Sequence, residues 1–158
     1  MKRYCSRIAV KPTTLTEDTA YQSWYNSDVL SIRLIRMHLQ LDSADAGGGA
    51  NSIYGWQRIK GQPTGGDLII PTRYDNNEEP SKMIVNRANG GLTMTGVNRE
   101  TYFLERSIVS KTTGSASNID FDHLEGFVLL PGEGICIFAD NTVISGSGVY
   151  GMIEWVEE

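Results

Sequence analysis

The run Ile119-Asp120-Phe121-Asp122-His123 is the densest grouping of metal-ligating side chains in the sequence. Two carboxylates and an imidazole at this spacing converge in a turn and would suit a divalent cation. No second cluster completes the coordination, so the stretch reads as a turn leading into a strand. The other histidine, His38, lies on the polar face of a strand. Acyl transfer needs a nucleophile, a base and an orienting group. Ser147 comes nearest to a nucleophile elbow, but Ser145 and Val149 stand where that pattern requires glycine. Cys136 with His38 has no supporting motif around either residue. The glycines of Pro63-Thr64-Gly65-Gly66-Asp67 lack the Lys-Ser/Thr that reaches phosphates, and no helix follows them. Those of Pro131-Gly132-Glu133-Gly134 serve a tight turn between two strands.

Paired carboxylates for glycoside hydrolysis would have to come from Glu78, Glu79, Glu125 or Glu133, and loop residues of that kind occur in any β-sandwich. Among three tryptophans and seven tyrosines, Trp24 and Trp56 are the candidates for a sugar-stacking platform; the commoner role of such residues is core or interface. The expectation is therefore no catalytic residue, no metal site, no cofactor-binding site and no enzyme.

The elements that would position these residues are short. The chain has 158 residues, 40% hydrophobic and 21% charged, which suits one globular domain with a sizeable core. A net charge of -5 argues against a general nucleic-acid binder and against docking on an anionic membrane. No run approaches the roughly 18 apolar residues of a membrane span, and the N-terminus has the charges of a signal peptide without its apolar segment. The expectation is a protein made and kept in a cytosol. Cys5 and Cys136 make no disulfide framework; they read as two small buried hydrophobes, with a single bridge between an early and a late strand as the alternative.

Short apolar runs bounded by Pro, Gly, Asn and Asp predict strands over 4–10, 31–41, 52–60, 68–70, 82–86, 101–109, 127–130, 135–139 and 149–156. The segment 13–28, with Tyr21, Trp24 and Tyr25, reads as a loop pinned by its aromatics, so that 1–30 forms an N-terminal strand and loop arm. In the 31–41 strand Ile35, Met37, Leu39 and Leu41 share one face, whereas Ile32 and Leu34 lie on the opposite parity. That calls for a bulge or a strand apolar on both faces. The pattern predicts a single all-β domain over 1–158, an antiparallel β-sandwich of jelly-roll-like winding, with no βαβ alternation.

The stretch from Leu129 to Glu158 carries a resemblance. Leu129, Pro131, Gly132, Glu133, Gly134 and Ile135, then Ile153, Glu154, Trp155, Glu157 and Glu158, form a pattern similar to small structural proteins of tailed bacteriophages. These are capsid decoration (cement) or head-associated proteins. The resemblance implies a virion protein on the capsid exterior, made in the host cytoplasm, that binds the major capsid protein at several capsomers as a homotrimer. Apolar residues on both parities of 31–41 and 101–109 supply a second motive for the trimer, because a two-layer sandwich buries one face of each sheet. A carbohydrate- or receptor-binding module of a phage tail or fibre is the alternative, and a hydrolase or cupin-like metalloprotein the third class.

Overall fold

Tyr4, Ser6, Ile8 and Val10 are buried and alternate with more exposed neighbours, the period of two that makes Lys2–Val10 a half-buried strand, β1. A computed structural model describes residues 1–11, 19–42, 52–76, 79–100, 105–109, 117–121, 127–139 and 148–157. The remaining strands are β2 (Ala20–Asn26), β3 (Ile32–Asp42), β4 (Ser52–Lys60), β5 (Asp67–Ile69), β6 (Thr72–Arg73), β7 (Met83–Arg87), β8 (Asn98–Arg99), β9 (Glu105–Val109), β10 (Ser117–Phe121), β11 (Val128–Leu129), β12 (Glu133–Ala139) and β13 (Gly148–Glu157). The chain is all-β: two antiparallel sheets packed as a sandwich. The first runs β10-β3-β13-β1-β6, with β11 beside β10 on the same edge of β3; the second runs β5-β7-β2-β12-β4-β8, with β9 also on β4.

The pairings are nested. β1 pairs with β13, β2 with β12, β3 with β10 and β11, and β4 with β9. The chain thus doubles back on itself as one long hairpin, and successive pairs fall alternately in the first and second sheets. The segment between β4 and β9 returns to the open side of the sandwich. There β6 extends the first sheet beyond β1, and β7 and β5 extend the second beyond β2. Both outer edges left by this clip are only two or three residues long, which limits edge-to-edge association. Gly66 makes the entry to β5 possible. Its φ is +73°, and a Cβ there would lie 2.2 Å from the Arg87 carbonyl oxygen.

The main core lies between the sheets. Tyr4, Ile8, Val10, Ile32, Leu34, Met37, Val149, Ile153 and Trp155 come from the first sheet, and Trp24, Trp56, Val85, Ile135 and Ile137 from the second. The parity switch in β3 is a bulge. Glu154 pairs with Arg36 and Trp155 with Leu34, so Ile35 is the extra residue. Ile32, Leu34 and Met37 therefore all reach the same core, and one buried face accounts for apolar residues of both parities. The second sheet is buried on its far side too. Ala20, Ile59, Leu92, Cys136 and Phe138 form a smaller core closed by Ala88, Met94 and Val97 from the same chain.

Two readings of the sequence need correction. Residues 20–26 are not a loop but β2, a central strand with all but Tyr25 buried. Residues 117–121, expected as loop and approach, form β10. The 101–104 half of the expected 101–109 strand lies outside the described residues, as do residues 13–18 of the expected loop. Both cysteines are free, with Cys136 buried and Cys5 partly so. They lie in different sheets, so the alternative of a bridge is not realised.

Candidate functional site

Asn26, the last residue of β2, is fully buried, and a buried amide must find partners. Its Nδ2 donates to the Leu30 and Leu129 carbonyls, both at 2.9 Å, and its Oδ1 accepts from the Asp28 amide at 2.9 Å. Its own carbonyl accepts from the Gly132 amide at 3.0 Å. One side chain thus ties the 27–31 loop to the turn between β11 and β12. Ser27 Oγ donates to the Lys82 carbonyl at 2.6 Å, which adds the segment before β7. Glu133 locks the turn from the other side: it accepts from the Leu130 amide at 3.1 Å and pairs with Arg58 at 2.9 Å.

The C-terminal strand joins the same end. The Glu157 carboxylate accepts from Ser81 Oγ at 2.5 Å, the Lys82 amide at 3.0 Å and Trp155 Nε1 at 3.1 Å. Loops held this firmly do not need exposed apolar side chains for folding, yet Val29 is 83%, Leu30 50% and Leu130 52% exposed. Beside this end, a groove of about 330 Å³ opens between the segment running from β5 to β6 and the segment leading into β7, lined by Ile70, Pro71, Pro80, Met83 and Ile84. Its rim residue Leu68 is also largely exposed. Such a surface can take up apolar side chains of a partner with little loss of conformational freedom, because its backbone is already fixed.

Comparison with family models, with curated proteins and with solved structures gives no significant match.

The sequence candidates are dispersed. Asp120 lies in β10 opposite His38. Asp122 and His123 lie outside the described residues, as do Glu78, Glu125, Ser145 and Ser147. Among the described residues no group of three His, Cys, Asp or Glu side chains could hold a metal. Glu79 pairs with Lys2 at 2.9 Å, and Glu133 serves its turn. Trp24 and Trp56 are buried, 5.4 Å apart between ring centroids, and Trp24 Nε1 donates to Ser6 Oγ at 2.6 Å. They are core residues and offer no stacking platform. Burial pushes the Cys136 thiol far up from its ordinary value, so it is no thiolate nucleophile at neutral pH.

One carboxylate is placed unusually. Glu154 is on the outer face of the first sheet yet only 3% exposed. Burial alone would raise its pKa. The hydrogen bonds donated by Arg3 at 2.5 Å and Tyr74 at 2.7 Å outweigh that, with Arg36 helping, and hold it below the ordinary 4.5. The Tyr74 phenol is in turn pushed up to about 12, by burial first and then by its bond to Glu154. A carboxyl lowered on folding contributes stability that is present above its ordinary pKa and lost as pH falls through its folded value. We expect the wild-type unfolding midpoint to fall as the pH drops below the ordinary 4.5 and through the lowered folded value, with the fall reduced in Glu154→Gln. At neutral pH, Tyr74→Phe should cost about 1–2 kcal/mol, as loss of a hydrogen bond to a charged acceptor. Denaturant titrations at each pH check both. An identical pH slope in the Gln variant would remove Glu154 from the account.

Proposed function

We propose that the chain is a virion structural protein of a tailed bacteriophage that decorates the capsid exterior and cements capsomers by docking, without chemistry. The observation that carries this reading is the Asn26 clamp: a fully buried amide that fixes two loops so that Val29, Leu30 and Leu130 stand in solvent. Preorganised apolar side chains of this kind are what a protein interface uses as anchors. The winding of nested strand pairs supports it as well. We read that winding as a jelly roll, the fold implied by the C-terminal resemblance. The resemblance also motivates a homotrimer, in which three weak contacts to neighbouring capsomers reinforce one another because the second and third are intramolecular. The carbohydrate-binding alternative loses the two tryptophans on which it rests.

Cosedimentation with purified capsids tests the reading. Val29→Ser/Leu30→Ser should weaken capsid binding about tenfold or more, since truncating interface anchors typically costs over 1 kcal/mol each, while the unfolding midpoint stays put. Wild-type protein that stays in the supernatant at micromolar capsid concentration would sink the proposal. Light scattering should give about three times the single-chain 17.4 kDa; a mass near one chain would remove the trimer and its avidity.

A further inference from the structure

The outer edge of β1 is closed by two different devices. Toward its C-terminal end, side chains of the second sheet close it. Gln22 Nε2 donates to the Arg7 carbonyl at 2.9 Å, Arg87 Nη1 donates to the Ala9 carbonyl at 3.3 Å, and Asn89 Oδ1 accepts from the Lys11 amide at 3.0 Å. Toward its N-terminal end, residues 70–76 close it. There β6 pairs Thr72 with Cys5 and Arg73 with Tyr4, and the Tyr74 amide donates to the Arg3 carbonyl at 3.2 Å. The two closures differ in what holds them. Gln22 is fully buried, whereas no side chain of residues 70–76 is buried and Ile70 is 84% exposed. Ile70 and Pro71 line the groove of about 330 Å³ rather than fill it. The flanks are anchored: Ile69 packs against the main core, Met83 is buried, and Glu157 holds Ser81 and the Lys82 amide. Between those anchors the segment is tied by polar contacts. The Tyr74 phenol donates to Glu154 at 2.7 Å, and the Arg3 guanidinium lies 4.7 Å from the Tyr74 ring centroid. Arg73 and Asp75 make further interactions without burying their side chains.

We propose that residues 70–76 form a strap that opens ahead of the rest of the fold, and that protonation of Glu154 releases it. Segments with few buried apolar contacts open at the lowest free energy, while strands that close a core open only with the whole domain. Glu154 is faced by Arg3 and Cys5 from β1, by Arg36 from β3 and by Tyr74 from the strap. Burial opposes its ionisation, but the hydrogen bonds from Arg3 and Tyr74 hold it below the ordinary 4.5. A charged acceptor holds its donors about twice as strongly as a neutral one. The tie to Tyr74 is therefore fully present above the ordinary value and weakens as pH falls through the lowered one. Opening uncovers the backbone of β1 at residues 3–5, a short edge that another extended chain can pair with, while Gln22 and Arg87 keep the remainder closed. The inference stands apart from the capsid reading.

The two cysteines supply the test. Cys5 lies opposite Thr72 on the strap and beside Glu154, so it reports on strap opening; Cys136 is fully buried in the smaller core and reports on global unfolding. Both are labelled with a pyridyl disulfide, which reacts with thiols in acid, and each rate is divided by that of a short cysteine peptide at the same pH. At neutral pH, Cys5 should label about tenfold or more faster than Cys136. As the pH falls from about 6 to below the ordinary 4.5, the corrected Cys5 rate should rise about fivefold or more. In Glu154→Gln the rate should start higher and stay nearly flat across that range. Urea at about 1 M should speed Cys136 and leave Cys5 almost unchanged, because strap opening exposes little surface. Hydrogen exchange of the wild type gives a second readout: the Thr72 to Tyr74 amides should exchange faster than those of β13, and the gap should widen in acid. Cys5 and Cys136 labelling together at one rate, or strap amides as protected as β13, would mean that the strap opens only with the whole fold and overturns the inference. A corrected Cys5 rate that ignores pH, or that rises equally in Glu154→Gln, removes Glu154 as the latch and overturns it as well.

Discussion

Trp155→Ala is expected to destabilise the protein by about 3–5 kcal/mol, the range for deleting a large buried aromatic. Trp155 is fully buried, pairs with Tyr4 on one side and Leu34 on the other, and stacks on the Tyr4 ring at 6.1 Å between centroids. Its indole N–H donates to Glu157, the carboxylate that also holds Ser81 and the Lys82 amide. The substitution therefore opens a cavity between the sheets and removes one donor from a carboxylate that is only 6% exposed. Trp155→Phe keeps most of the contact area and loses only the N–H and part of the volume, so it should cost less than half as much. A domain of this size has roughly 5–15 kcal/mol in hand, so the alanine variant should show a large drop in urea midpoint. An unchanged midpoint would mean that β13 does not close the core as its register indicates.

The role of β13 is legible in its own residues. Ile153 and Trp155 share a parity, and both reach the core. The parity switch between Ile32, Leu34 and Met37 leaves a bulge and a strand apolar on both faces equally open in the sequence; the register shows the bulge, because the extra residue reconciles the two parities with one buried face. β2 is not legible in this way, and the reason is physical. Ala20–Asn26 is central in a sheet covered on both sides, so it lacks alternation, and it buries Gln22, Ser23 and Asn26 among its aromatics. Composition marks such a segment as a loop; what makes it a strand is tertiary partners, such as the Arg7 carbonyl for Gln22 and Ser6 for Trp24. The two-residue strands β6 and β8 exist only through pairing and leave no periodic trace. The docking end is hidden for a similar reason. In sequence Asn26 is an ordinary turn residue, and its role emerges only when residues 103 positions apart meet at its amide.

The second large effect is expected at Phe138, on the far side of the second sheet. Phe138 is fully buried in the smaller core with Ala20, Ile59, Leu92 and Cys136. It sits opposite Gly55 on β4, and the β2–β12 register shifts beside it, so that it pairs with Ala20. Small neighbours on both strands leave the space that the ring fills. The segment 88–99 closes the space above. Leu92 donates its amide to the Ala20 carbonyl at 2.7 Å, and the Arg99 guanidinium lies 3.8 Å from the ring centroid while its Nε donates to Gln57 at 2.8 Å. Phe138→Ala should cost about 3–5 kcal/mol through the cavity, and it removes the ring that Arg99 covers. Leu92→Ala, at the rim of the same cluster, should cost less, and the double variant should fall short of the sum because both act on one cavity. Because the cover belongs to the same chain, the loss in stability should be equal at about 1 µM and about 100 µM protein, even if the protein assembles as a trimer. A loss that shrinks as concentration rises would place a neighbouring copy over this face, and the second sheet would then be part of the subunit interface.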